Sequence, residues 1–126
     1  FHIHHGVLVL LFIPYELQVY AKVTDRHLEL CDLMGVWDHD SKEKRLSGLI
    51  EKIRDFMTSL KLPIGLKDAG VRRDDLEKHM DMILEQTPTD PAFYFGWYDL
   101  NKDQLNDIFL HAYEGRLLDM CSNPWR

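Results

Sequence analysis

Three histidines, His2, His4 and His5, stand within the first five residues of the chain. Imidazole is a good ligand for zinc, iron, nickel and copper, and one metal site normally uses three or four protein ligands. His2 and His5 are three residues apart, so their side chains would share one face of a helix. This cluster is therefore a candidate metal-binding feature. The alternative interpretation is a polar, frayed chain end.

Other patterns that would indicate a complete active site are absent from the sequence. It contains no glycine-rich dinucleotide loop, no P-loop and no Gly-x-Ser-x-Gly elbow. Cys31 and Cys121 are isolated, which predicts neither a zinc knuckle nor a disulfide framework. We expect the remaining histidines at the surface or at helix caps, because none is spaced with a carboxylate as a ligand pair: His27, His39, His79 and His111.

Composition and charge limit the class of protein. The chain of 126 residues is 45% apolar and 29% charged, which predicts one globular domain over residues 1–126, with residues 118–126 as a tail. The formal net charge of -6 argues against nucleic acid as a partner. The apolar run from Gly6 to Ile13 is too short to span a membrane. Isolated cysteines favour a reducing, cytoplasmic location.

The spacing of apolar residues predicts about five helices and no clear strand, and hence an all-α, orthogonal helical bundle. The β-branched residues between Gly6 and Pro14 would also suit a strand, so both assignments stay open there. The first helix begins near Gly6 and is apolar on most sides, so we expect it to be buried all round. Thr24 and Ser41 are predicted N-caps of the next two helices, and Gly35 a left-handed C-cap. Pro63 is predicted to end the third helix.

The second half of the chain shows equally clear signals. A fourth helix is predicted from about Arg73 to Gln86, and Asn101 with Gln104 forms a capping-box pair for the last helix. Residues 87–99 form a loop rich in proline and aromatic residues. We expect its rings to pack on adjoining helices, and the alternative is that they line an apolar substrate pocket. The tail is expected to fray unless Trp125 docks.

The order of several short motifs resembles the iron-dependent (group III) alcohol dehydrogenases, over residues from about His5 to Leu117. The motifs are His5-Gly6, Leu11-Phe12-Ile13-Pro14, Leu33-Met34-Gly35, Leu60-Lys61-Leu62-Pro63, Leu66-Lys67-Asp68-Ala69-Gly70-Val71, Asp74-Asp75-Leu76 and Ala112-Tyr113-Glu114-Gly115. No single motif is unique to that family, but their order and spacing together are fairly specific. The family often has Asn-Pro where Phe95-Gly96-Trp97 stands here, so the substrate preference stays open.

The resemblance implies a function and a set of cofactors. Members of that family have an N-terminal nucleotide-binding domain for NAD or NADP and a C-terminal helical domain with a divalent metal, commonly iron and sometimes zinc. An aspartate and three histidines hold the metal. The metal polarises the oxygen of a small alcohol or aldehyde while the nicotinamide exchanges a hydride. His5 matches the last of these ligands in chain order, and no role carries over to His4.

The other ligands and the cofactor loops of that family lie upstream of the motifs present here. The resemblance therefore implies one part of a larger dehydrogenase, which binds neither metal nor NAD(P) tightly alone and does not oxidise alcohols alone. Its partner would be the missing nucleotide-binding domain or a second copy in a homo-oligomer. Two alternatives stay open: a free-standing helical interaction module without catalysis, and an unrelated metal protein that uses His2 and His5.

Overall fold

The computed structural model describes residues 2–37, 41–90 and 98–126. Within these residues the chain forms five α-helices, one short 3-10 helix and no strand, so the predicted all-α fold is confirmed. We number the helices α1 to α5, and the 3-10 helix at Thr87–Thr89 follows α4. Their bounds are His5–Tyr20, His27–Leu33, Lys42–Ser59, Arg73–Gln86 and Lys102–Glu114. No helix in the described residues is long and apolar enough to cross a bilayer.

Helix α1 is less buried than its composition predicts. It buries Leu11, Pro14, Tyr15 and Val19, but Val9 is 44% exposed and Glu16 is also exposed. The expectation of burial all round was therefore wrong. An apolar stretch can form a helix with one free face, because only the side that meets other helices of the chain loses its water.

Helix α3 begins where the sequence predicts and ends earlier than expected. The Ser41 side chain accepts a hydrogen bond from the Lys44 backbone N–H at 3.2 Å, which confirms it as the N-cap. The helix ends at Ser59, before Pro63, because Lys61 adopts a left-handed conformation with φ of 58°. Phe56 is 56% exposed, so the apolar stripe of α3 extends beyond the buried core.

Of the two predicted ends of α2, only the C-terminal one is confirmed. Thr24 is not the N-cap, since Arg26 holds that position, although the Thr24 hydroxyl accepts a hydrogen bond from the Arg26 backbone N–H. Gly35 follows the helix in the predicted left-handed conformation, with φ of 74°. Helix α2 then packs on α3, where Cys31, Val36 and Leu49 form a small separate core.

Helices α4 and α5 have the ends that the sequence predicts. Helix α4 covers the predicted range Arg73–Gln86. Asn101 and Gln104 form the capping box of α5, and Gly115 ends α5 in the left-handed conformation. The backbone N–H groups of Leu66 and Lys67 donate to carbonyls in the last turn of α5, so the turn before α4 is fixed on the end of α5.

The main core lies where α1 meets α5 and where α4 meets α5. Its buried members come from α1, α3, α4, α5, the turn before α4 and the tail. Trp125 is 1% exposed, so the tail docks on the helices. Gln18 of α1 makes two hydrogen bonds to the backbone of Leu118, at 3.0 and 3.1 Å. The tail therefore belongs to the core.

Candidate functional site

His5 is the first residue of α1 and its side chain is exposed. No other described residue forms a hydrogen bond or an ion pair with the His5 side chain. The neighbouring His4 has a different role, because its Nδ1 accepts a hydrogen bond from the Gly6 backbone N–H at 3.1 Å and caps the helix. The His5 imidazole, unlike that of His4, is therefore available to a ligand from outside the described residues.

His2 does not share a helix face with His5, so the spacing argument for this pair was wrong. The helix begins at His5, and His2 lies before it with a left-handed φ of 43°. Residues outside the helix do not follow its periodicity, so a three-residue spacing no longer aligns the two rings. This observation removes the support for a metal site built from His2 and His5.

The other described histidines do not surround a common point. His79 and His111 are half-buried, and each Nδ1 lies 2.8 Å from a backbone carbonyl one helical turn earlier. His27 is only 7% exposed, so the expectation of a surface or cap position was wrong for this residue. Both of its ring nitrogens lack a hydrogen-bond partner in the described part of the chain. His39 lies outside the described residues.

The donor set on the described residues does not by itself fit a divalent metal. Residues 2–37, 41–90 and 98–126 contain no group of three or more His, Cys, Asp or Glu side chains that could hold a metal ion. A metal site requires three or four preorganised protein ligands. What the geometry offers is the exposed imidazole of His5 on the first residue of α1. It can complete a ligand set whose other members lie elsewhere.

The exposed face of α1 leads from His5 to a cavity. At about 100° per residue, His5 and Glu16 lie within about 20° of each other around the helix, and about 16 Å apart along its axis. Phe12, Tyr15 and Glu16 line the cavity together with residues of α4 and α5. Its volume is about 660 Å³. No sequence pattern predicts this cavity, because apolar periodicity shows that helices pack and does not show where they leave space.

Two ionisable groups in the cavity wall are affected by burial. Burial raises the pKa of Tyr15, and the Arg54 guanidinium, which donates a hydrogen bond to the Tyr15 hydroxyl at 3.2 Å, partly opposes this rise. Loss of water around the carboxyl group raises the pKa of Glu16 from its ordinary value. The Tyr15 hydroxyl also donates to the His111 carbonyl at 3.3 Å. These bonds fix the Tyr15 ring between α1, α3 and α5.

Most of the aromatic loop predicted over residues 87–99 lies outside the described residues, which stop at residue 90 and resume at residue 98. Within the described part, Tyr98 packs against the main core and also lines the cavity. Thr87 and Asp90, before the gap, line the same cavity. Tyr98 thus packs as expected, while a role of the loop in a substrate pocket stays a prediction, and residues 91–97 lie outside the described residues.

Comparison with known proteins places the chain in a family. Residues 1–115 match the family described as Fe-containing alcohol dehydrogenase family, C-terminal. A curated relative, the NADPH-dependent butanol dehydrogenase of Clostridium saccharobutylicum, is 24% identical over 120 residues. That alignment covers 94% of this chain and 31% of the relative, so the chain spans about a third of the relative's length. The chain belongs to the Fe-containing alcohol dehydrogenase family and corresponds to its C-terminal region.

Proposed function

We propose that this chain is the C-terminal, metal-site-contributing part of an NAD(P)-dependent alcohol dehydrogenase. Its partner is a nucleotide-binding domain of the kind that precedes this region in the family, either in one polypeptide or in a second subunit. The complete enzyme would interconvert a small alcohol and its aldehyde. A cytoplasmic location goes with this proposal.

The family match supports the proposal most directly, since it covers residues 1–115 of the chain. The alignment covers 31% of the relative named as a butanol dehydrogenase, so the remaining 69% of that protein lies outside the aligned region. A nucleotide-binding domain and further metal ligands have ample room in such a segment. His5 supplies an exposed imidazole on the first residue of α1, which could join ligands from such a segment.

In the proposed enzyme, His5 is one ligand of a divalent metal, iron or zinc. When bound, such a metal supplies Lewis-acid stabilisation of negative charge on the substrate oxygen. The role of this chain is to orient the imidazole. His4 caps the first turn and α1 packs on α3 and α5, so the helix end that bears His5 is fixed in place.

The test compares the chain alone with a completed protein. The isolated chain is mixed with iron(II), NADP⁺ and butanol, and reduced nicotinamide is followed by its absorbance. We expect no turnover, because one ligand does not hold the metal and no nucleotide site is present. A chimera that joins the upstream part of the Clostridium saccharobutylicum relative to this chain is expected to turn over. Turnover by the isolated chain would refute the proposal.

The second candidate is a free-standing helical module that binds a partner protein. The exposed apolar residues favour it, because contiguous apolar surface is typical of interfaces. Helix α2 and the residues after it expose Leu30, Leu33, Met34 and Trp37, with Leu33 83% exposed. Val9 of α1 is also exposed. Size-exclusion chromatography with light scattering separates the candidates: the module predicts a stable dimer of the isolated chain, and a monomer at all concentrations counts against it.

A further inference from the structure

The cavity between α1, α4 and α5 has the size of a small-molecule site. Its volume of about 660 Å³ lies within the range of ligand pockets in proteins. Each helix contributes apolar wall, for example Phe12 from α1, Ile83 from α4 and Ile108 from α5. The proposed dehydrogenase function assigns no role to this space, and Glu16 in its wall lies about 16 Å from His5 along α1.

The wall on the α1 side is held in place by specific contacts. The rings of Phe12 and Phe109 meet edge to face, with centroids 5.4 Å apart. Phe12 also contacts Tyr15, with centroids 6.1 Å apart, and Tyr15 is 1% exposed. Tyr15 is in turn bonded to Arg54 of α3 and to the backbone of α5. An apolar ligand would thus meet a preformed surface, which lowers the entropic cost of binding.

Glu16 gives the cavity wall an acidic group, and none of the described lining residues is a lysine, an arginine or a histidine. Within the described chain, no side chain forms an ion pair or hydrogen bond with Glu16. Its carboxylate stands at the edge of an apolar space and has lost part of its water. A cation placed there would recover electrostatic stabilisation that the protein itself does not supply.

Aromatic side chains in the cavity wall add to the preference for a cation. Tyr20, one helical turn after Glu16, lines the cavity, and so does Tyr98. The faces of aromatic rings attract ammonium groups at distances up to about 6 Å. The cavity therefore combines an apolar interior, a carboxylate without a partner and electron-rich rings.

We propose that this cavity binds an apolar or aromatic molecule that carries a primary ammonium group, with the ammonium paired to Glu16 and the apolar body against Phe12 and Ile108. The site is separate from the proposed metal site, and its test does not depend on dehydrogenase activity.

The test uses three probes with one skeleton and different head groups: 4-phenylbutylamine, 4-phenylbutanol and 4-phenylbutyrate. Each is titrated into the 126-residue chain at pH 7 by isothermal calorimetry. We expect the amine to bind about three- to tenfold more tightly than the alcohol, as for a partly exposed ion pair, and the carboxylate to bind most weakly. Equal affinity for all three probes, or no binding of the amine, would overturn the proposal.

Two variants locate the charge effect. Glu16→Gln is expected to remove the advantage of the amine and to leave binding of the alcohol within about twofold, since the apolar walls are unchanged. Glu29→Gln is the matched control, because Glu29 is an exposed helical glutamate on α2, away from the cavity. It should preserve the whole order of affinities. Loss of the amine preference in both variants would show a general charge effect and contradict the site.

The position of the probe is read from methyl groups by NMR. The amine should shift the signals of Ile83, Leu100 and Ile108, and should leave those of the exposed Leu33 unchanged. Shifts confined to Leu33 would place the probe on the surface and overturn the proposal.

A double variant, Phe93→Ala with Trp97→Ala, tests whether the chain's own loop, and not a ligand, occupies the cavity. If the probe binds only to this variant, the chain's own loop fills the cavity and the proposal is wrong.

Discussion

The indole Nε1 of Trp125 donates a hydrogen bond to Oδ2 of Asp107 at 2.6 Å, which joins the end of the chain to the middle of α5. Lys22, just after α1, donates to the Trp125 carbonyl and lies 5.8 Å from the centre of the indole ring. The family match ends at residue 115. The tail beyond that match thus links α1, which bears His5, to α5, and these two helices supply more than half of the residues that line the cavity.

We predict that Trp125→Phe lowers the free energy of unfolding by about 1–3 kcal/mol. The change deletes a hydrogen bond to a carboxylate and leaves Asp107 with one donor fewer in a half-buried place. Urea denaturation followed by circular dichroism measures the effect. Trp37→Phe is the control, because Trp37 is 63% exposed, and it should change the free energy by less than about 0.5 kcal/mol. Equal effects of the two substitutions would show that the tail does not stabilise the fold.

Gly65 is predicted to tolerate no larger side chain. A Cβ atom there would lie 2.8 Å from the Gly115 backbone nitrogen and 2.9 Å from the Tyr113 carbonyl oxygen, and neither backbone atom can rotate away. Gly65→Ala should therefore cost about 2–3 kcal/mol, as for an overpacked core site. Thermal unfolding compares it with Gly6→Ala, where the nearest atom is 3.4 Å away in the His4 side chain. The Gly6 variant should be close to neutral, and a neutral Gly65 variant would contradict the packing of the turn on α5.

Glu16 should make stability depend on pH in a defined direction. Burial raises its pKa in the folded protein above the ordinary value of 4.5, so the folded state favours the neutral carboxyl. The stabilisation that comes from the neutral Glu16 carboxyl is fully present below pH 4.5, and it is lost as the pH rises through the folded pKa. Glu16→Gln should therefore be more stable than the parent at pH 7, by less than about 1 kcal/mol because solvent reaches the side chain.

The same comparison at pH 4 supplies the check on this prediction. At that pH both states of the parent are largely protonated at Glu16, so the difference between the parent and Glu16→Gln should shrink. Urea denaturation at the two pH values measures it. A difference that is larger at pH 4 than at pH 7 would give the opposite sign and rule out burial as the cause. Glu29→Gln should leave the unfolding free energy unchanged at both values.

Local signals predicted the helices well, whereas burial and site geometry depended on distant parts of the chain. Ser41 and the Asn101–Gln104 pair cap their helices through neighbours in sequence, so short patterns contain the information. Trp125 docks on Asp107, 18 residues earlier in the chain, and no local pattern specifies that contact. His27, at the start of α2, is likewise buried, although the three residues just before it, Thr24, Asp25 and Arg26, are all polar.

The candidate site shows the same limit. Sequence resemblance selected His5, and the structure adds that this ring is exposed at a capped helix end. Spacing alone paired His2 with His5, and this failed because the helix begins only at His5. The cavity required three helices to be placed in space, so it followed from the structure alone.

The role of His5 as a metal ligand is tested most directly by the metal content of the chimera with the upstream part of the Clostridium saccharobutylicum relative. The parent chimera, His5→Ala and His2→Ala are purified, dialysed with iron(II) or zinc(II), and analysed by plasma mass spectrometry, with circular dichroism to compare their folding. We predict about one metal ion per chain in the parent and in His2→Ala, and an affinity at least about 100-fold lower in His5→Ala. Full metal occupancy in a folded His5→Ala chimera would contradict the account.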